Sequence, residues 1–240
     1  MTIRLLGTGS IWAKELGSCA LIDDSLLLDC PNGLIKTLKR ESFNIAKIDV
    51  CILTHFHADH YFDVPFLLLE QGMRAPREGE LTIIGPKGLT EKIKALFCLA
   101  YLELWDTISR NIVINFIEVN ESQRSITCMD YVITPYKVNH NQCDAFGYTI
   151  EKSGKIVGFT GDTLLCENVE KIIRASQISF VDMTFEKNSC AHMGFNNMVA
   201  LKAQYADAHQ IVPTHMGNEV RTLYNKKYND APLDGTDYCI

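Results

Sequence analysis

A short segment, His55-Phe-His57-Ala-Asp59-His60, holds three of the seven histidines of this 240-residue chain. It follows an apolar run at residues 50–54 that we interpret as a buried strand, so His55 emerges where that strand ends. His55 and His57 can reach one ion, while Asp59 and His60 face a second position. Imidazole and carboxylate groups are the ligands that hold zinc, manganese or iron with open coordination positions. The spacing therefore predicts a divalent metal site rather than a polar loop that is rich in histidine by chance.

Four residues cannot complete two metal positions, so further ligands must come from later in the chain. Candidates lie where predicted strands end or close to glycines: His140, Asp162, His192 and His215. Asp162 lies in the glycine-flanked turn GFTGDT, where the backbone can approach other segments closely. Each residue alone would more often be structural, but six of the seven histidines occupy such positions. We assign no role to the seventh, His209, which lies in a turn between a helix and a strand.

Short apolar runs that end in Gly, Asp or Asn alternate with helical patterns along the chain. Strands are predicted in runs such as TIRLLG, DVCILT, KIVGFTGD and QIVPTH. Helical spacing is present in NGLIKTLKRE, LTEKIKALFCLAYLEL, CENVEKIIRAS and NNMVALKAQYADA. This alternation, without a linker rich in Pro or Ser, predicts one layered α/β domain over residues 1–240. The last segment, YNKKYNDAPLDGTDYCI, is predicted to be irregular and to wrap either the domain or a partner subunit.

The composition is typical of a globular protein with reduced thiols. The amino terminus lacks the apolar core of a signal peptide, and the longest apolar stretch, residues 95–105, is interrupted by Glu103, so we expect no membrane association. The nine cysteines include no CxxC pair, which favours free thiols in a cytoplasmic protein. The net charge of −6 offers no basic surface to a long nucleic acid. A small anionic substrate is compatible with that charge, because bound cations dominate the local field.

The sequence resembles the metallo-β-lactamase superfamily, whose HxHxDH signature it carries at residues 55–60. Within that superfamily it is most similar to the branch that contains tRNase Z and related phosphodiesterases. Further segments that resemble the family follow in its order: LLGTGS, LLLDCPNG, DVPFLL, IIGPKG, GFTGDT, FVDMTF, AHMGF and VPTHMG. The resemblance implies a four-layer αββα sandwich, with two facing sheets, helices outside and metals at one edge between the sheets.

The resemblance also implies a role for each candidate residue. Seven metal ligands are expected, in two groups joined by a bridge: His55, His57 and His140 for the first metal, Asp59, His60 and His215 for the second, and Asp162 between them. Zinc is the expected metal, with manganese or iron as alternatives. Two such cations would share a hydroxide and lower its pKa towards about 7, which provides the nucleophile. Asp59 would also hold or accept the nucleophile's proton, His192 would protonate the leaving group, and Asp182 would orient His192.

The spacing of two ligands bears on the substrate. In tRNase Z, the arm that binds tRNA is inserted between the third histidine ligand and the bridging aspartate, whereas His140 and Asp162 here leave room only for a turn and two strands. We therefore expect a small phosphodiester substrate, such as a cyclic nucleotide, and a homodimer, as in many relatives. The alternatives are a tRNase Z-like endoribonuclease without the arm, a carbonyl-directed hydrolase (lactonase, lactamase or thioesterase) and a non-catalytic metal-binding module. The apolar helix expected over Ile93–Trp105 would pack in the core, or else form a dimer contact or a substrate lid.

Overall fold

The protein, represented by a computed structural model that describes residues 1–74, 79–187, 189–205 and 208–240, has its strands in two sheets. From one edge to the other, the first sheet contains β13 (Thr236–Cys239), β1 (Thr2–Gly7), β2 (Cys19–Ile22), β3 (Leu26–Leu28), β4 (Val50–Ile52), β5 (Glu80–Pro86) and β6 (Val113–Val119). The second contains β12 (Gln210–Thr214), β11 (Ile178–Asp182), β10 (Lys155–Phe159), β9 (Phe146–Lys152), β8 (Tyr131–Lys137) and β7 (Ile126–Cys128).

Helices cover the outer face of each sheet. The described α-helices are α1 (Leu34–Arg40), α2 (Ala58–Tyr61), α3 (Val64–Leu69), α4 (Leu89–Tyr101), α5 (Trp105–Asn111), α6 (Glu167–Ala175), α7 (Phe195–Tyr205) and α8 (Asn218–Lys227). The predicted continuation of α7 through residues 206 and 207 lies outside the described residues. None of the helices in the described part of the chain is long and apolar enough to cross a membrane.

Alternating side chains explain the layers. In β4, Val50 and Ile52 point into the space between the sheets, where they join Phe146 and Phe180 of the second sheet. Cys51, between them in sequence, points outward and packs under α1, α3 and α4. A third apolar cluster joins α6, α7 and α8 to the outer face of the second sheet. Because strands buried on both faces read as continuous apolar runs, the sequence pattern and the layers agree. The predicted αββα sandwich is confirmed.

Strand direction brings the chemistry-bearing residues to one edge of the sandwich. β3 and β4 are parallel neighbours in the first sheet, and β10, β11 and β12 are parallel neighbours in the second. The carboxyl ends of parallel strands meet at the same edge of a sheet, which is where ligands bind in such folds. Asp29 and Thr54 follow β3 and β4, whereas Asp162, Asp182 and His215 lie at or just after the ends of β10, β11 and β12.

The carboxyl-terminal segment differs from the prediction. It was expected to be irregular, but it contains the end of α8 and then β13, which pairs antiparallel with β1. Tyr238 points inward and its ring lies 5.3 Å from that of Phe180, whereas Asp237 and Cys239 are exposed. This alternation of inward and outward side chains extends over only four residues next to charged ones, so the strand cannot be recognised from the sequence pattern. The segment therefore packs against its own chain through β1, and a contact with a partner subunit stays a prediction.

The apolar helix predicted over Ile93–Trp105 is divided in two. α4 ends before a 3₁₀ turn at Leu102–Leu104, and α5 begins at Trp105. Ile93 and Phe97 are fully buried, as core packing requires, whereas Leu99 and Leu102 are 87% and 72% exposed. A dimer contact or lid at these leucines, like the homodimer itself, stays a prediction.

Candidate metal centre

The seven predicted ligands converge, although they come from both sheets. Their ligand atoms form groups in which all atoms lie within 4.8 Å of one another: His55 with His57 and His140, His55 with His60 and Asp162, and Asp59 with His60 and His215. The first and third groups are the two sets that the resemblance assigned to two metals. The second group contains Asp162 and one histidine from each set, so Asp162 lies where a bridge is required.

The Asp162 carboxylate lies at the middle of the cluster. Its Oδ2 atom is 3.2 Å from His60 Nε2, 3.4 Å from His215 Nε2 and 3.8 Å from His55 Nε2. Burial opposes ionisation of this carboxyl group, but the surrounding imidazoles, first His215 and then His60, hold its pKa well below the usual value. The carboxylate is therefore charged and surrounded by nitrogen atoms.

Two backbone conformations aim these ligands. Gly161 has φ of +58°, and a Cβ atom there would lie 3.1 Å from Thr54 Cβ, so both the backbone conformation and the close approach between the sheets favour glycine. This observation bears out the close approach that the glycine-flanked turn predicted for Asp162. His215 itself has φ of +53°, a left-handed conformation that is uncommon for residues with a Cβ atom. Each residue forms a sharp turn after its strand. The turn at Gly161 directs the Asp162 side chain into the cluster, and the turn at His215 directs the His215 side chain there.

Each of the five histidines predicted to bind metal also has a partner on its outer ring nitrogen. These contacts are Thr54 Oγ1 to His55 Nδ1 (3.0 Å), Cys143 Sγ to His57 Nε2 (3.0 Å), Asp29 Oδ2 to His60 Nδ1 (2.8 Å), Ala191 O to His140 Nδ1 (3.0 Å) and Thr184 Oγ1 to His215 Nδ1 (2.8 Å). Such outer partners fix both the tautomer and the orientation of a metal-binding imidazole.

The hydrogen bonds around Asp29 determine which ring nitrogen of His55 and His60 carries a proton. The Asp29 carboxylate accepts hydrogen bonds from His60 Nδ1 and from the Thr54 hydroxyl at 2.9 Å. Because the Thr54 proton goes to Asp29, the hydroxyl oxygen accepts a hydrogen bond from His55 Nδ1. Both imidazoles then carry their proton on Nδ1 and present the lone pair of Nε2 to the centre. Both Nε2 atoms are buried without a hydrogen-bond partner among the described residues.

The second sheet repeats this arrangement. Asp182 accepts hydrogen bonds from the Thr184 hydroxyl at 2.7 Å and from His192 Nδ1 at 3.0 Å. The Thr184 oxygen therefore accepts from His215 Nδ1, and His215 Nε2 faces Asp59 Oδ2 at 3.3 Å. The contact that was expected between Asp182 and His192 is thus present. One carboxylate and one threonine orient a pair of histidines on each sheet.

The charges at the centre call for a cation. Burial disfavours a charged ring at His60, but the carboxylates of Asp162 and Asp29 raise the pKa of His60 well above its usual value. For His192, burial lowers the pKa, yet the hydrogen bond and charge of Asp182 raise it overall. The raised pKa places a proton between the His60 ring and these carboxylates when no metal is bound. In the neutral ring, the Nε2 lone pair would face a carboxylate oxygen, and a metal cation between them would relieve that repulsion. These residues fit two divalent cations in their ligand types, their number and their unpaired buried nitrogens.

Reasoning from the sequence missed the residues that orient the ligands. Five groups that contact predicted site residues were not among the candidates: Asp29, Thr54, Cys143, Thr184 and the Ala191 carbonyl. Asp29 alone had a signal, because it directly follows the apolar run LLL and thus a strand end. His209, to which no role was assigned, lies outside the centre and donates a hydrogen bond from Nδ1 to the Ser176 carbonyl at 2.8 Å.

A cavity of about 290 Å³ opens onto the cluster. Five predicted site residues line it: His57, Asp59, Asp162, His192 and His215. Ser10, Ala58 and Thr184 also line it, and the exposed side chains of Ile11, Trp12 and Phe185 form its rim. The Ser10 hydroxyl oxygen is buried and has no hydrogen-bond partner among the described residues. A larger cavity of about 590 Å³ beside β12 is lined by none of the predicted ligands. The smaller cavity is therefore the candidate substrate site.

Sequence comparison identifies the family. Residues 25–216 match the family described as a beta-lactamase superfamily domain, which is most of the chain. A ribonuclease Z from Lachnoclostridium phytofermentans is 35% identical over 165 residues, which cover 65% of this chain and 51% of that protein. The chain thus spans about half the length of this curated relative.

Two solved structures share the fold over the full chain. The short form of human tRNase Z superposes with a TM-score of 0.76 at 19% identity, covering 100% of this chain and 99% of that one. A diphosphatase of the PhnP family superposes with a TM-score of 0.78 at 17% identity, covering 100% and 97%. At these identities the likeness shows the fold alone. The family match and the ribonuclease Z relative show that the likeness is also present in the sequence. The chain belongs to the metallo-β-lactamase superfamily, in its tRNase Z branch.

Proposed function

We propose that the protein is a metal-dependent hydrolase that cleaves a small phosphodiester such as a cyclic nucleotide. The observation that carries this proposal is the position of His192. It lines the same cavity as Asp59 and His215, and its Nδ1 donates to Asp182, which leaves Nε2 available to a substrate. An alkoxide leaving a phosphodiester needs a proton, and a positioned general acid contributes about 10²–10⁴ in rate. A thioester hydrolase releases a thiolate, which leaves without a proton and therefore does not need this donor.

Zinc is our proposed metal, with manganese or iron as alternatives, because imidazoles and carboxylates with open positions suit catalytic zinc. When bound, the two cations supply a nucleophile from water at neutral pH and neutralise charge on the phosphoryl oxygens. His55, His57 and His140 would hold one cation, and His60, His215 and Asp59 the other, with Asp162 shared.

Two side chains of the protein then transfer protons during the reaction. Asp59 lines the cavity with its Oδ2 beside His215 Nε2, so it can orient the attacking water and accept its proton. His192 donates a proton from Nε2 to the leaving oxygen. Asp182 favours the protonated ring of His192, since its carboxylate raises the pKa of that imidazole. After cleavage, the proton taken from water replaces the one that His192 gave to the alcohol product.

A small substrate is supported by the segment between two ligands. β9 and β10 form a hairpin whose turn consists of Ser153 and Gly154, both with positive φ. All residues from 140 to 162 are described, and they contain this hairpin and short loops rather than an arm. The acidic net charge also favours a small ligand over tRNA. The second candidate, a tRNase Z-like endoribonuclease without the arm, is favoured by the 35% identity to a ribonuclease Z.

Assays on four classes of substrate distinguish these functions. The zinc- or manganese-loaded protein is assayed on methyl p-nitrophenyl phosphate, on nitrocefin, on a simple lactone and on a precursor tRNA with a 3′ trailer. We expect turnover of the phosphodiester and of cyclic nucleotides, and its loss in Asp162→Ala. Turnover of the lactone or nitrocefin alone would replace the proposal with a carbonyl hydrolase. Cleavage of the precursor tRNA without turnover of the small diesters would replace it with the endoribonuclease.

A further inference from the structure

Two aromatic side chains stand exposed at the rim of the catalytic cavity. Trp12 is 72% exposed and Phe185 is 37% exposed, and both line the cavity that contains the predicted ligands. A second cavity of about 480 Å³ shares Trp12, Thr184 and Phe185 with the first and continues past Glu186, Gly217, Glu219 and Val220. The two aromatic residues therefore lie where the catalytic cavity passes into a neighbouring one.

The backbone around both aromatic residues is held in place. The loop that carries Trp12 is fixed by hydrogen bonds from Ser10 N to the Met216 carbonyl at 3.1 Å and from Ala13 N to the Ser10 carbonyl at 2.9 Å. The Phe185 carbonyl accepts a hydrogen bond from Phe195 N at 3.1 Å, at the start of α7. An exposed ring on a fixed backbone loses little entropy when a flat ligand stacks on it.

Phe185 also connects this rim to the chemistry. Its ring lies edge-on to His192, with centroids 5.7 Å apart and an interplanar angle of 79°. A group that packs against Phe185 is therefore next to the proposed proton donor. A substrate that fills both cavities would place its phosphodiester at the cluster and its flat part over the aromatic rim.

The polar residues of the second cavity restrict what that flat part can be. Glu186 and Glu219 line it, and no Lys or Arg does so among the described residues. Two carboxylates repel a further phosphate but accept hydrogen bonds from N–H groups. Another cavity, of about 600 Å³, shares Asp59 with the catalytic cavity and is lined by Lys14, Lys36 and Arg40 as well as by acidic residues, so cationic groups are present there and absent from the described lining of the aromatic side. An uncharged planar ring that carries N–H donors fits the aromatic side, and phosphate oxygens do not.

We propose that Trp12 and Phe185 form a nucleobase-binding site, which makes nucleoside phosphodiesters the substrate class. This inference rests on the proposed phosphodiesterase function, since it places the base of the same substrate. Aromatic side chains commonly bind bases by stacking, with little dependence on base identity because every base has a π-face.

Binding of a matched pair of ligands tests the site. AMP and ribose 5-phosphate share the sugar phosphate, and a hydroxyl replaces the base in the latter, so calorimetry on the zinc-loaded protein reports the contribution of the base. We expect AMP to bind about ten-fold or more tightly than ribose 5-phosphate, and Trp12→Ala to remove most of that difference, with Trp12→Phe retaining it. The control Leu99→Ala changes another exposed apolar residue, outside both cavities, and should leave the ratio unchanged. An unchanged ratio in Trp12→Ala, or no preference for AMP in the unmodified protein, would overturn the proposal.

Fluorescence gives a second readout that does not depend on turnover. The chain has two tryptophans, Trp12 and Trp105, and the latter packs against Phe97 in the core. In a Trp105→Phe variant the emission comes from Trp12, and AMP but not ribose 5-phosphate should quench it. Base-dependent quenching without hydrolysis of any diester would contradict the proposed function and leave the nucleobase site intact. Diester hydrolysis without base-dependent quenching would do the reverse.

Discussion

Replacing Asp29 by asparagine should weaken metal binding, although Asp29 is not itself a predicted ligand. The side chain is almost fully buried and accepts hydrogen bonds from His60 Nδ1, the Thr54 hydroxyl and the Thr54 amide. An amide group has one acceptor side and one donor side, so it cannot replace both carboxylate oxygens. Asp29→Asn keeps the volume and removes one acceptor position.

The structure sets the size of the effect. If the amide nitrogen faces His60, the imidazole must accept there and carry its proton on Nε2, which removes one ligand of the second metal. If it faces the Thr54 amide, two buried donors oppose each other at a cost of about 1–3 kcal/mol. Changes in such outer partners usually lower metal affinity about 10–100-fold, or about 1.4–2.7 kcal/mol. We expect the zinc affinity of Asp29→Asn to fall by this amount.

Competition with a chromophoric chelator measures the zinc affinity directly. The increase in the free energy of unfolding on adding zinc gives a second value, in which any destabilisation of the metal-free variant cancels. Asp237→Asn is a suitable control, because Asp237 is exposed and pairs with Arg4 at 2.8 Å on the edge strand. Zinc binding by Asp29→Asn that equals that of the unmodified protein would refute the assignment of the Nδ1 proton of His60 to a hydrogen bond with Asp29.

Other variants separate the remaining roles. His192→Ala should retain both metals in elemental analysis and lose about 10²–10⁴ in kcat, whereas Asp162→Ala should lose metal; an active His192→Ala enzyme would remove the proton-donor role. Asp182→Asn should shift the alkaline fall of kcat/KM to lower pH, because protonated His192 is the active form and loss of the Asp182 charge lowers the pKa of that imidazole; an unmoved pH profile would contradict this pairing. Ser10→Ala should leave the free energy of unfolding within about 0.5 kcal/mol of the unmodified value, since its hydroxyl has no partner to lose among the described residues. It should also lower kcat/KM about 2–10-fold, and an unchanged kcat/KM would show that this hydroxyl does not contact the substrate.

The ligand residues could be predicted from the sequence because metal binding requires histidines and carboxylates, and here they lie at strand ends. His140, Asp162 and His215 each follow a recognisable strand, and parallel strands end at a shared edge. Asp182 was predicted to orient His192, but the orienting threonines could not be predicted, because threonine is common and its partners are distant in sequence. Thr54 contacts Asp29 across 25 positions of the chain, and Thr184 contacts His215 across 31.

Some short elements of the fold could not be predicted, because their positions also depend on partners that are distant in sequence. The main strands have apolar runs long enough to recognise, whereas β13 has four residues with a single large apolar side chain, Tyr238. Its place in the sheet depends on pairing with β1, more than 230 positions earlier. Helix α4 followed its periodicity, but the 3₁₀ turn after Tyr101 had no Gly or Pro to mark it. Local patterns therefore specify the layers better than the ends of the elements.

The arrangement of the cluster has a consequence for the stability of the protein. His55 and His60 belong to the first sheet or the helix that follows it, whereas His140, Asp162 and His215 belong to the second. An ion held between them cross-links the two halves of the sandwich at one margin. Chelation should thus do more than stop turnover: it frees that margin to separate and admits water and proteases to the apolar interior. Activity and resistance to digestion should decline together.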